Sequence, residues 1–155
     1  MRPNRRRPAV VEFAMRKLAL VFVAAIVLAQ SPAPFQPVGN MSQLMIDVIY
    51  PTSDAIFYVE RTPPKNEQDW SVLRTNALTL AESGNLLMMG TRARDQGDWI
   101  KDAKMLVDAG NAAYKAARAK DLNAVVAVND QLYAACVTCH QQYRPNYRTR
   151  LPEKQ

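Results

Sequence analysis

The chain has 155 residues, of which 20 are Lys or Arg and 14 are Asp or Glu. Six of the basic residues and one acidic residue lie in residues 1–29, so fourteen basic and thirteen acidic residues remain in 30–155. The positive charge belongs mainly to the first 29 residues, and the near-neutral remainder gives no reason to expect a nucleic-acid partner. That remainder is long enough for one domain with a single core.

The first segment carries an unbroken apolar run, LALVFVAAIVLA, over residues 18–29, directly after Arg16 and Lys17. Its twelve residues are fewer than the ~20 that a membrane-spanning helix needs. A basic start, a short apolar run and small residues at its end are typical of a secretory signal peptide. We therefore predict a signal peptide over 1–29 that is cleaved near Ala29, with export to the periplasm. A membrane contact is expected only through an uncleaved leader.

Residues 30–40 contain three prolines within 31–37 and predict an extended tether ahead of a domain over 41–150. From residue 41 onward, apolar residues recur every three or four positions, as in helices that each bury one face. The first helix is predicted over about 41–60. Pro51 interrupts it, because its ring and its missing N–H predict a kink or two abutting helices.

Three further helices are predicted by their start and stop residues. The second begins with Asp69 as its N-cap and ends at Gly90. The third is capped by Asp98 and reaches about Lys120. The fourth is capped by Asp121 and continues until Pro145 stops it. Short connections place successive helices antiparallel, so the sequence predicts an all-α, up-down-up-down four-helix bundle.

The fourth helix contains Cys136-Val-Thr-Cys139-His140, which holds the only two cysteines and the only histidine of the chain. C-x-x-C-H is the attachment site of c-type haem, in which two thiols form thioethers with the porphyrin and the imidazole binds the iron. In a helix the three side chains lie on one face, and here they share it with the apolar stripe. The motif therefore predicts one covalently attached haem c per chain, facing the core.

Three other interpretations of the motif are weaker. A thioredoxin-like dithiol belongs beside a βαβ unit, and no strands are evident. A structural zinc site needs four ligands, whereas the chain has three Cys and His residues in all. A disulfide between positions i and i+3 of a helix is strained and constrains little chain entropy.

A secreted four-helix chain with this motif near its C-terminus resembles the class II c-type cytochromes, the family of cytochrome c′ and its low-spin relatives. The resemblance covers roughly 41–148 and is carried by Cys136, Cys139 and His140, which Tyr143 and Arg144 follow. It implies haem in the bundle core, His140 as the proximal iron ligand, and the first helix on the other side of the iron. Homodimers also occur in such a family.

The resemblance implies that a methionine in the first helix decides the function. Low-spin members carry a sixth ligand there and transfer electrons, whereas cytochrome c′ has an open site that binds nitric oxide or carbon monoxide. Met45 lies on the apolar stripe and is the first candidate, and Met41, one turn earlier, is the second. The alternative is that Met45 only fills the core.

Other residues are assigned to the pocket or to packing. Arg144 is placed near a haem propionate or the haem edge, with a solvated arginine at a helix end as the alternative. Tyr133 and Tyr143 are expected to wall the pocket, and Trp70 and Trp99 to pack at helix starts rather than against a cofactor.

The sequence shows no paired carboxylates, nucleophile–base set or glycine-rich phosphate loop, and its one histidine is already assigned to iron. We therefore do not expect an enzyme. The predicted function is transfer of single electrons between redox partner proteins. The alternatives are a five-coordinate protein that binds nitric oxide or carbon monoxide and a cytochrome subunit of a periplasmic dehydrogenase.

Overall fold

A computed structural model of the chain describes residues 35–144. Their regular secondary structure is entirely helical, and they contain no strand. The first helix, α1, covers residues 41–57 and joins three pieces: an α-helical turn Met41–Gln43, a π-helical segment Leu44–Ile49 and an α-helix Tyr50–Phe57. The others are α2 (Glu67–Leu87), α3 (Asp98–Ala119), α4 (Leu122–Val126) and α5 (Asn129–Tyr143). The predicted all-α class is confirmed. The predicted signal peptide and Pro145 lie outside the described residues.

The start of α1 is closed by a capping box. The Asn40 side chain accepts the backbone N–H of Gln43 at 2.9 Å, and the Gln43 side chain accepts the N–H of Asn40 at 3.0 Å. Farther along, the discontinuity predicted at Pro51 takes the form of a change in helix type. The π-helical segment ends where the N–H of Tyr50 donates to the carbonyl of Met45, and Pro51 lies in the first turn of the α-helix that follows.

The second helix begins earlier than predicted. Asn66, and not Asp69, is its N-cap, because the Asn66 side chain accepts the N–H of Asp69 at 3.0 Å. The Asp69 carboxylate instead accepts the N–H of Lys65 at 2.9 Å. Both residue types cap helices well, so a short polar stretch leaves open which of them takes the position. The helix ends at Leu87, before the predicted Gly90.

The predicted cap of the third helix is also wrong. Asp98 is its first helical residue and Gly97 occupies the cap position. The capping hydrogen bonds come from the carboxylate of Asp95, which accepts the N–H groups of Gly97 at 2.8 Å and Trp99 at 3.1 Å. The helix ends at Ala119, close to the predicted residue.

The predicted fourth helix is two helices. Asp121 caps α4 as predicted, since its carboxylate accepts the N–H of Ala124 at 2.9 Å. The chain leaves the helix after Val126 and resumes at Asn129. Three valines lie within 125–128, and β-branched side chains lower helix propensity.

The closest helix packing joins α2 and α3, where two glycines allow the backbones to approach. A Cβ atom added to Gly110 would lie 2.5 Å from the Ala81 nitrogen, and one added to Gly84 would lie 3.0 Å from the Ala103 carbonyl oxygen. The core around this contact consists of small and branched apolar residues, among them Leu73, Ala77, Leu80, Leu106 and Ala113.

Side-chain contacts join the ends of the helices. The Trp99 indole N–H donates to the carbonyl of Leu87 at 2.8 Å, and Lys120 forms an ion pair with Glu67. Before α1, the carbonyl of Gly39 accepts from the Arg92 guanidinium at 2.9 Å. Among residues 35–144, none of the helices has the length and apolar character needed to cross a membrane.

Candidate functional site

A cavity of about 710 Å³ lies between α1, the end of α2, α3 and α5. Its volume falls within the roughly 300–1,000 Å³ of ligand pockets. The walls are mainly apolar and come from Met41, Met45, Ile46, Ile49, Leu87, Trp99, Ala103, Leu106 and Ala135. The residues predicted from the sequence as haem or iron contacts all line it: Cys136, Cys139, His140, Met41, Met45 and Arg144. The structure therefore brings the predicted site residues together, while their roles stay predictions.

Helix α5 supplies the motif side of this cavity. Cys136, Cys139, His140 and Tyr143 follow a spacing of three, one and three residues, which keeps them on one face of a helix. The two thiols and the imidazole are each partly buried, and neither cysteine is in a disulfide. All three side chains are thus presented together to one ligand.

Burial controls the protonation of these groups. It raises the pKa of the Cys136 thiol, and burial followed by the charges of Asp102 and Cys136 raises the pKa of Cys139 to about 11. Burial, and then the Arg144 charge, lowers the pKa of His140. At neutral pH the thiols are therefore protonated and the imidazole is neutral, which is the form that binds a metal ion.

Helix α1 brings a thioether group to the same cavity from two positions. Met41 and Met45 both line it and both are partly buried, so proximity alone does not choose between them. Met41 lies in the first turn, which the capping box at Asn40 closes.

Two charged residues of the cavity lining were not predicted from the sequence. Asp102 of α3 is only 3% exposed, and its Oδ2 atom has no hydrogen-bond partner within residues 35–144. Burial, and then the Asp98 charge, raises the pKa of its carboxyl group. Asp102 lies three residues after the buried Trp99, a spacing that could have placed it on the inward face. The second residue, Arg94, comes from a loop, where no periodicity points to it.

The aromatic assignments have different outcomes. Trp99 packs at the start of α3 as predicted, and its buried ring also lines the cavity and meets Tyr143 edge to face, with centroids 4.9 Å apart. Tyr143 lines the cavity as predicted and donates its hydroxyl to Asp95 at 2.5 Å. That hydrogen bond, and then burial, raises the pKa of Tyr143.

Tyr133 does not wall the pocket, because it is 63% exposed and lies outside the cavity lining. The inward face of α5 contains Leu132, Ala135 and Cys139, and Tyr133 is displaced from Leu132 by one residue, or about 100° around the helix. Trp70 is partly buried against the core near the start of α2.

No protein-family model matches the chain, and no curated protein or solved structure is significantly similar to it. Within the described residues, no three His, Cys, Asp or Glu side chains form a cluster that could hold a metal ion by themselves. The donor set of the cavity does fit haem c. It offers two thiols and an imidazole from one helix, thioether groups from another, apolar walls and two guanidinium groups.

Proposed function

We propose that this protein is a monohaem class II c-type cytochrome that transfers single electrons between redox partner proteins in the periplasm. The observation that carries the proposal is the shared cavity, which gathers Cys136, Cys139 and His140 with the two methionines of α1. The motif and the two methionines are distant in the sequence, so the pattern of Cys136, Cys139 and His140 is independent of their shared cavity with α1.

The proposal includes an antiparallel up-down-up-down arrangement of four helical segments, with α4 and α5 together forming the fourth. Contacts between helix ends support it. The start of α3 meets the end of α2 through Trp99 and Leu87, and the end of α3 meets the start of α2 through Lys120 and Glu67. The end of α5 likewise lies beside the start of α3, where Tyr143 donates to Asp95.

In this proposal, Cys136 and Cys139 would hold the haem through thioether bonds and His140 would bind its iron. Bound haem would supply a one-electron iron couple. Met45 is proposed as the second iron ligand, with Met41 as the other candidate. An imidazole and a thioether ligate both oxidation states, so the chain needs little rearrangement when the charge changes.

The remaining cavity residues supply the environment. The apolar walls exclude water and lower the local dielectric, which strengthens every electrostatic effect on the iron. Arg94 and Arg144 carry positive charge that suits the two propionates of haem, and Asp102 adds a buried negative group on α3. The reduction potential of the haem is thus proposed to depend on groups of opposite sign that line one cavity.

Absorption spectra of the purified protein, oxidised and reduced, test this function. A six-coordinate low-spin site predicts a weak sulfur-to-iron band in the far red of the oxidised spectrum and poor carbon monoxide binding when reduced. Met45→Ala should abolish the band, lower the reduction potential and admit carbon monoxide, because the thioether favours ferrous iron and blocks that position.

Met41→Ala should leave all three properties unchanged, and so should Met105→Ala, a control in which a partly buried methionine outside the cavity is lost. A wild-type protein that is already high-spin and binds carbon monoxide readily would instead support the gas-binding alternative. A loss of the band in Met41→Ala alone would assign the ligand to Met41.

A further inference from the structure

Asp102 places a buried carboxyl group in the wall of the cavity. Its side chain is only 3% exposed, and its Oδ2 atom has no hydrogen-bond partner within residues 35–144. No other carboxyl group of these residues lines the cavity, since the nearby Asp95 and Asp98 are exposed and lie outside the lining. Burial without a partner penalises the charged form of a carboxyl group, so Asp102 has much to gain from taking up a proton.

Most other ionisable groups of the lining are held in one state when the proposed haem is bound. The thiols of Cys136 and Cys139 would be thioethers, and the imidazole of His140 would bind the iron, so these three groups would exchange no proton. Arg94 and Arg144 carry guanidinium groups, which do not lose their protons in proteins.

The two tyrosines of the lining are also poorly suited to respond to a charge in the cavity. The hydroxyl of Tyr143 donates to the Asp95 carboxylate at 2.5 Å, and this hydrogen bond, followed by burial, raises the pKa of Tyr143. Tyr50 is 65% exposed, so solvent screens its hydroxyl from charges in the cavity. Among the described residues of the lining, Asp102 is therefore the group best placed to gain and lose a proton.

The charges that face Asp102 act in both directions. Burial raises its pKa most, the Asp98 charge raises it further, Lys101 lowers it and Asp95 raises it. From α5, Tyr143 interacts electrostatically with Asp102. Helices α1 and α2, as far as the structure describes them, add no Asp, Glu, Lys, Arg or His side chain to the lining.

The charge of Asp102 also reaches the C-x-x-C-H motif. Burial raises the pKa of the Cys139 thiol, and the Asp102 charge adds to that effect. In the proposed function Cys139 is an attachment point of the haem, and reduction adds one negative charge to the same cavity. At an effective dielectric constant of about 20, two charges about 10 Å apart change an equilibrium constant by roughly tenfold. Reduction should therefore favour protonation of Asp102 by a factor of this order.

We propose that Asp102 makes this protein a carrier of one proton together with each electron. When a redox partner delivers an electron to the haem, the Asp102 carboxylate takes up one proton from solvent and forms an O–H bond. It releases that proton when the electron leaves. The proposal rests on the proposed function, because it needs a haem in the cavity, but it does not depend on which methionine binds the iron. Exposed lining residues such as Ser42 and Arg94 bring the cavity to the molecular surface, where solvent supplies the proton.

The test measures the reduction potential of the haem-loaded protein between about pH 4 and pH 9. The wild-type potential should fall as the pH rises from the pKa of Asp102 in the oxidised protein to its higher pKa in the reduced protein. The slope should not exceed about 59 mV per pH unit, which is the value for one proton and one electron. A potential that does not change with pH would overturn the proposal and leave the proposed function standing.

Asp102→Asn keeps the size of the side chain but has no ionisable proton. It should lose this slope, match wild type at the acidic end and raise the ratio of reduced to oxidised protein roughly tenfold at the alkaline end, a shift of about 59 mV. Asp108→Asn, which removes an exposed carboxylate of α3 outside the cavity, is the matched control and should keep the wild-type slope. A slope that persists in Asp102→Asn would assign the proton to another group, such as a haem propionate, and overturn the proposal.

A second measurement uses the wild-type protein alone. The infrared difference spectrum between the reduced and oxidised states should show a carboxylate band that is lost and a protonated carboxyl band that is gained on reduction. The absence of both bands throughout the pH range would overturn the proposal, even if Asp102→Asn failed to fold. A chain that binds no haem would instead refute the proposed function.

Discussion

Asp102 puts a carboxyl group into a wall that is otherwise apolar. The residue is buried on α3, and one of its oxygens has no partner among residues 35–144. Since a buried polar group without a partner destabilises the folded state, this residue is costly to keep. A buried charged residue that lowers stability and lines a cavity typically serves a binding site rather than the fold.

Replacing Asp102 by Asn should stabilise the protein at neutral pH. The folded state raises the pKa of Asp102 above its ordinary value of 3.8, mainly through burial. A raised pKa means that the contribution to stability is complete below pH 3.8 and is lost as the pH rises through the folded-state pKa. Urea unfolding should therefore give Asp102→Asn a larger free energy of unfolding than wild type at pH 7, with the difference shrinking toward pH 4.

Asp54→Asn, at a partly buried position outside the cavity, is the control and should show no such gain. Equal stability of wild type and Asp102→Asn at both pH values would contradict the direction of the pKa shift.

Among individual residues, those of the C-x-x-C-H motif could be predicted, but the charged residues that line the same cavity could not. Cys136, Cys139 and His140 lie within five positions, and their chemistry is specific enough to recognise without a structure. Asp102 is followed two residues later by Lys104 and preceded by Lys101, so the stretch resembles a solvated helix face. Arg94 reaches the cavity from a loop, whose course depends on contacts that only the folded chain makes.

Among the helices, the approach of α2 to α3 depends on glycine. An added Cβ at Gly110 would lie 2.5 Å from the nitrogen and 2.7 Å from the Cα of Ala81, and a backbone cannot yield as a flexible side chain can. Gly110→Ala should therefore lower the free energy of unfolding by about 3 kcal/mol, at the upper end of the range for overpacked cores.

Gly90→Ala provides the matched control. No atom lies within 4 Å of a Cβ built at Gly90, which is exposed, so the change should be within about 0.5 kcal/mol. Denaturant unfolding of both variants measures the difference. A Gly110→Ala protein as stable as Gly90→Ala would show that the two helices do not approach each other in this way.

The helices themselves were predictable because a 3–4 spacing of apolar residues persists over many turns. The caps of the second and third predicted helices were not, since Asn66 and Asp95 lie within three residues of Asp69 and Asp98 and cap helices equally well by type. The π-helical segment of α1 also differs from the regular helix that the sequence suggests. Pro51 marked the place, but it does not specify the form of the discontinuity, which is a π-helical segment with Leu44 and Ile49 buried.

For the whole molecule, the all-α class follows from the spacing of apolar residues, whereas the cavity forms only when the helices pack together. No sequence pattern relates Met45 to His140, which are ninety-five positions apart, yet both line one cavity. The proposed function accounts for this cavity, because a bound haem would fill the space between the helices. A chain that encloses a largely apolar cavity of this size is stabilised by whatever fills it, because a ligand that binds only the folded state shifts the equilibrium.

The mass of the exported protein tests covalent haem attachment most directly. The protein is produced with a c-haem maturation system, purified, extracted with acid–acetone and weighed by mass spectrometry. We predict a chain that begins near Gln30 and carries the mass of one haem, which the extraction does not remove. Cys136→Ser combined with Cys139→Ser should lose it. A wild-type chain of unmodified mass, or haem that leaves in the acetone, would contradict the account.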